Sequence, residues 1–218
     1  MLSEKDFAKI EKQANQLYAN LELEIIEEIA TRIANVGYVN TVVLNDIQIA
    51  QEMGVLYIDI ISLVAKYNHS TYEEVAKIFE EAGTKTLKFD DKIYTEAGLN
   101  PLPINQSPGM VQMLNATIEK TSGNLQNLVM TTAISSQTQF YNAMNMAYME
   151  VSTGVKSYSK SILDAIDNIS SQGAIITYPS GRKTSLESAV RTNVITGVNQ
   201  TCGKLQELRA NEMGWDLM

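Results

Sequence analysis

Apolar residues recur at helical spacing through most of the chain. Leu17, Leu21, Ile25, Ile29 and Ile33 fall four apart and draw one stripe along residues 3–35. Ser3 opens this stretch as a cap with Asp6 three residues on, and Asn35-Val36-Gly37 closes it. Glu22, Glu24, Glu27 and Glu28 lie mostly off the stripe. The pattern predicts a packing helix, because a membrane-surface helix carries Lys and Arg on its polar face. A second run, Ile49, Met53, Leu56, Ile60, Leu63 and Val64, predicts a helix from Thr41 or Asn45 to about Tyr67. Gly54 weakens it by about 1 kcal/mol relative to Ala and marks a possible bend. Asn68-His69-Ser70 reads as a turn. Thr71 caps a short helix with Val75, Ile78 and Phe79 inward, and Gly83 stops it. Residues 84–107 hold Pro101 and Pro103 and show no clear period. They predict a long irregular connection, a short strand near Leu87-Lys88-Phe89, and a domain boundary.

The pattern resumes at Pro108, which suits a first helical turn. Met110, Leu114, Ile118, Leu125, Val129, Phe140 and Met144 mark a stripe as far as Val151, interrupted near Gly123. Unbroken, its 44 residues would measure about 66 Å. Gly154 ends it. Ser157, Ser159 or Ser161 begins another helix, with Ile162, Ala165, Ile166 and Ile169 inward and Gly173 as its stop. The period then changes. Ala174-Ile175-Ile176-Thr177-Tyr178 and Arg182-Lys183-Thr184 flank a Pro179-Ser180-Gly181 turn and predict a small hairpin. Ser185 caps a last helix through Leu186, Val190, Val194, Val198, Leu205 and Leu208 to about Glu212, before Gly214. The fold class is mainly α: long helices with one small β-hairpin near Ala174 to Thr184.

Charge divides the chain. Residues 1–100 carry 17 acids and 9 bases, whereas residues 101–218 carry 8 of each. The acidic half reads as a solvated surface and argues against broad contact with DNA phosphates. A local contact by Lys156, Lys160, Arg182 or Lys183 stays open. Between Pro101 and Met149 only Glu119 and Lys120 are charged. A helix so poor in charge packs on other helices or on a partner. Three regions follow: an acidic helical one over 1–100, an uncharged-polar one over 101–172, and a hairpin-helix segment over 173–218. No apolar run approaches the ~18 residues of a membrane span.

Chemistry finds little support. Ser180 lies outside any Gly-x-Ser-x-Gly elbow, and the single histidine, His69, is over a hundred residues away. His69 reads as a surface residue. Cys202 sits among helical apolar positions and reads as a small core residue. One His and one Cys exclude the usual zinc sets. Asp90-Asp91 and Glu73-Glu74 lack calcium-loop spacing. Phosphate-loop motifs are missing, and Ser180-Gly181-Arg182-Lys183 is only a weak anion site. No catalytic, metal or cofactor residue is assigned. Arg191, Asn199 and Gln200 stand out on the last helix, and are expected to fasten the hairpin by hydrogen bonds to its carbonyls.

Tyr178, Ser180, Gly181, Ala189, Val190, Arg191, Thr196, Gly197, Asn199, Gln200 and Thr201 join a turn and a helix at fixed spacing. In this they resemble the phage minor capsid protein 2 family and, more distantly, a domain of Mu-type head morphogenesis proteins. Asn124-Leu125-Gln126-Asn127 and the Gly154, Tyr158 and Ala165 spacing carry the likeness further; it is strongest from about Ala147 and weak in the first hundred residues. The resemblance implies a structural minor head component of a tailed phage or prophage, present in few copies, non-enzymatic, and associated with the portal or inner capsid. Portal and major capsid protein are the implied partners, with self-association as another and no membrane. Two alternatives are an effector or toxin module and a DNA-packaging or ejection accessory. The family continues past this point with a His-containing Gly-Ala-Arg-Pro segment. The end at Trp215-Asp216-Leu217-Met218 therefore predicts a truncated chain whose active part, on the alternatives, lies beyond Met218.

Overall fold

The computed structural model describes residues 2–38, 41–178 and 180–214, without the side chains of Val43, Asn68, His69 and Ser70. Expectations for Pro179, for the His69 side chain and for residues 215–218 lie outside the described residues. In chain order come α1 (Glu4–Asn35), α2 (Val42–Glu96), a 3-10 turn at Ile104–Gln106, α3 (Pro108–Ser152) and α4 (Tyr158–Gln172). The strands β1 (Ile175–Thr177) and β2 (Lys183–Ser185) then pair antiparallel, and α5 (Leu186–Glu212) follows. The fold is the mainly helical one expected, with a single two-stranded sheet among the described residues.

Local chemistry explains most ends. The Ser3 N–H and hydroxyl both donate to Asp6 Oδ2, at 2.8 and 2.6 Å, so the first turn of α1 opens with the acid half of a capping box. α2 opens at Thr41, whose carbonyl accepts the Asn45 N–H at 3.1 Å. Ser157 is the cap of α4 and accepts the Lys160 N–H at 3.4 Å. Gly173 ends α4 at φ +70°, with its N–H on Ile169 O.

α2 departs from the expectation. One 55-residue helix replaces two helices, a turn and an irregular stretch. The backbone is helical through residues 68–70, past Gly83, and over 84–96, where a loop and a strand were predicted. Packing decides this. Leu87 is 1% exposed and clusters with Met110 and Leu205, and Tyr94 is buried seven residues on. Gly83 is not a stop: a Cβ there would stand 2.6 Å from Leu205 Cδ1, so glycine gives the α5 leucine its room. Gly54 and Gly123 likewise leave α2 and α3 unbroken. α2 also holds an 18-residue window of mean hydropathy 1.4, only 22% buried, long and apolar enough by composition to cross a membrane. The contrary expectation counted unbroken apolar runs, and a window tolerates isolated polar residues.

α3 buries polar side chains, and two of its hydroxyls are satisfied by folding back on the helix. Thr132 Oγ1 donates to Leu128 O, and Ser136 Oγ to Thr132 O, both at 2.9 Å. A hydroxyl satisfied by its own helix can be buried without a partner elsewhere. Thr132 and Ser136 are 0% exposed.

The chain forms two compact units of non-consecutive pieces. One comprises Met1–Leu17, Asn68–Leu125 and Val190–Met218; the other comprises Tyr18–Tyr67 and Gln126–Ala189. In the first, Leu87, Met110 and Leu205 form a core edged by Ile104, Met113 and Leu208. In the second, Leu21, Ile25, Ile29 and Ile33 of α1 are fully buried.

Candidate functional site

The hairpin belongs to the second unit. Ile176 pairs with Thr184 and is fully buried, as is Ala174 before it. The turn closes through Tyr178 N–H to Arg182 O at 2.9 Å and Gly181 N–H to Tyr178 O at 2.8 Å, with Gly181 at φ +79°. The Arg182 guanidinium lies 6.0 Å from the Tyr178 ring centre. Ser180, Arg182 and Lys183 are exposed.

Three residues the sequence did not single out hold this hairpin. Glu22 Oε1 accepts the Ala174 N–H at 3.0 Å. Gln139 Nε2 donates to Gly173 O at 3.3 Å, and Ser135 Oγ accepts the Thr177 N–H at 3.3 Å. Burial pushes the Glu22 carboxyl up from its ordinary value; the Ala174 N–H opposes this and Glu187 adds to it. Ser135 and Gln139 stand four apart in the uncharged stretch, a spacing that could have flagged them as one face. Glu22 carries no such signal among its acidic neighbours.

From Val190 onward the helical half of the motif lies in the first unit. Arg191 does not reach the hairpin carbonyls. Its Nη1 pairs with Glu11 at 2.6 Å, both groups being partly exposed. Asn199 and Gln200 are exposed and make no hydrogen bond to the hairpin among the described residues. The expected fastening role is thus corrected: on a helix, residues facing outward meet solvent or a neighbouring helix before they reach back past the N-terminal turn. Hairpin and helix are instead joined through the cap, where Ser185 Oγ accepts the Ser188 N–H at 3.2 Å. Leu186 N–H donates to Ala174 O at 3.1 Å.

Gly197 and Thr201 have a clear role in packing. A Cβ on Gly197 would sit 2.8 Å from both Phe79 Cζ and Thr121 Oγ1, so α5 meets α2 and α3 at this glycine. Thr201 is buried and donates to Gly197 O at 2.8 Å. Thr196, on the next position, is exposed.

Reactive chemistry is not assembled around these residues. Cys202 is buried, and burial raises its thiol pKa. Among the described residues no group of three His, Cys, Asp or Glu side chains is placed to hold a metal. A cavity of about 770 Å³ in the first unit is walled by Leu87, Ile104, Val111 and Leu114 and floored by Arg209. Arg209 is 1% exposed; its Nε lies 2.8 Å from Asp91, Nη1 3.2 Å from Glu212, and Nη2 donates to Leu102 O at 2.6 Å. Ser107 donates to Glu212 in turn. A buried guanidinium hydrogen-bonded to one carboxylate and a carbonyl, with a second carboxylate paired beside its Nε, is a structural lock.

A motif made of a tight turn, a cap and a close helix contact is a signature of fold. The model of one family, phage minor capsid protein 2, matches residues 2–218. The chain belongs to the phage minor capsid protein 2 family. No curated protein and no solved structure matches it. The minor capsid match takes in the first hundred residues, where the motif likeness is weak, as well as the hairpin and α5. The protein is a structural component of a phage head, located in the virion and assembled with other head proteins.

Proposed function

We propose that this minor capsid protein acts in head assembly at the portal or the inner capsid wall, docking its helices on portal or major capsid subunits during assembly in the host cytoplasm. The observation that carries the reading is the outer side of α3. Ile134, Tyr141, Met146 and Met149 are exposed there at 59, 47, 59 and 64%, on a stretch whose only charges from Pro101 to Met149 are Glu119 and Lys120. Large uncharged side chains left in water mark a contact surface. Methionines suit it because their unbranched chains adapt to a partner's relief. The acidic composition supports a protein partner over packaged DNA.

A photo-crosslinking residue at Met146 or Met149 tests this in purified particles. Adducts to the portal or major capsid protein are expected. Adducts confined to tail proteins, or particles without the protein, would overturn the placement.

A further inference from the structure

The N-terminal third of α2 presents a second apolar face that the proposed α3 contact does not use. Asn45, Ile49, Leu56, Ile60 and Val64 form its inward row and are at most 5% exposed. Leu44, Ile47, Val55 and Ile58 fall at i, i+3, i+11 and i+14, on the opposite side of a 3.6-residue helix. They are 50, 48, 41 and 64% exposed. Gln51, Gly54, Ser62 and Ala65 complete the outward row, which holds no charge. Gly54 has no atom within 4 Å of where a Cβ would stand, so the row has a notch at its middle. An apolar face on both sides of one helix means that one side awaits a cover.

Charge narrows what covers it. Residues 18–67 of this unit carry seven acids and two bases. On one flank of the row, Arg32 is shared by Glu28, Glu52 and Asp59 at 3.5, 3.4 and 3.0 Å, one cation among three carboxylates. Asp46 is exposed on the other side. A second copy would bring like charge against like. Phospholipid headgroups are disfavoured too, because surface-bound helices border their apolar face with Lys and Arg. A transmembrane placement would strip water from Asp46, Glu52 and Asp59.

We infer that the outward face of α2 over residues 44–65 is a docking site for a different head protein, which supplies an apolar helix or groove bordered by Lys and Arg. The inference rests on the assembly reading, and the following experiment separates the two. Ile58→Cys places a reporter thiol on the face, with buried Cys202 as the internal reference. Free protein is expected to label readily with maleimide at position 58, and protein within particles is expected to lose that labelling. Carbodiimide treatment of particles carrying the unaltered chain is expected to join Asp46 or Asp59 to a lysine of another head protein. Particles lacking the protein would defeat the assembly reading together with the inference. Equal labelling inside and outside the particle overturns the inference alone. So do cross-links to a second copy of this chain, and so does co-sedimentation of the free protein with neutral or anionic phospholipid vesicles.

Discussion

Glu22 is a carboxylate in an awkward place. It is half-buried on α1, and burial has moved its pKa up, so its surroundings work against the charged form that accepts the Ala174 N–H. A carboxyl whose folded pKa is raised costs stability above that pKa, and the cost disappears as pH falls to the unfolded value of 4.5. Glu22→Gln keeps an oxygen for the Ala174 N–H and removes the charge. The variant is therefore expected to match or exceed the parent in urea denaturation at pH 7, with the gap closing below pH 4.5. Glu22→Ala leaves the amide without its acceptor and is expected to lose about 1–3 kcal/mol. A Gln variant weaker than the Ala one would sink the account. Neither Glu22 nor Arg209 was legible in the sequence. Glu22 finds its partner 152 residues away, and Arg209 finds Leu102 O 107 residues away. An acid among acids and an Arg in a last turn both read as solvated until the fold closes on them.

Elements were more legible than residues where local chemistry decides them. Ser185 was readable as a cap and Ser157 as one of three candidates, and Gly154, Gly173 and Gly214, read as ends, all stand at positive φ. Sequence reasoning failed at Gly83, where a glycine read as a helix stop serves packing. Gly83 and Gly197 lie inside helices, and each yields space to a neighbouring element: Leu205 at one, Phe79 and Thr121 at the other. This contrast gives a paired test. Gly197→Ala should displace α5 and cost about 1–3 kcal/mol, as overpacking does. Gly203→Ala, six residues on with nothing within 4 Å, should stabilise by roughly 0.5–1 kcal/mol through helix propensity. Thermal melting of the two variants settles it: shifts of the same sign would contradict the crossing at Gly197. The extension of α2 over residues 84–96 has the same origin in packing, since Leu87 and Tyr94 are recruited by the core against a local sequence that favours a loop.

At the scale of the molecule, fold class and family could be read from the chain, because long amphipathic periods and a spaced turn-helix motif are local in sequence. The compact units could not, because each gathers distant pieces. The three consecutive regions read from composition describe how residues are distributed along the chain, and contacts group them differently. A consequence is that residues 101–218 alone lack the α1 and α2 parts of both units. That fragment is expected to show weak helical circular dichroism and to aggregate on size exclusion, whereas the full chain gives a strongly helical spectrum. A monodisperse, fully helical fragment would contradict the interleaving.

The continuity of α2 also sets how this protein can vary in length. Substitutions along its 55 residues act one site at a time. One inserted or deleted residue acts on everything downstream, turning the helix by about 100° and shifting it by about 1.5 Å. Inserted between Ile49 and Leu56, it would put Leu56, Ile60 and Val64 out of phase with Ile49 within their own unit, exchanging buried side chains for exposed ones. Length changes in related chains should therefore avoid α2 and collect in the short proline-bearing connection after Glu96, where an added residue rotates nothing.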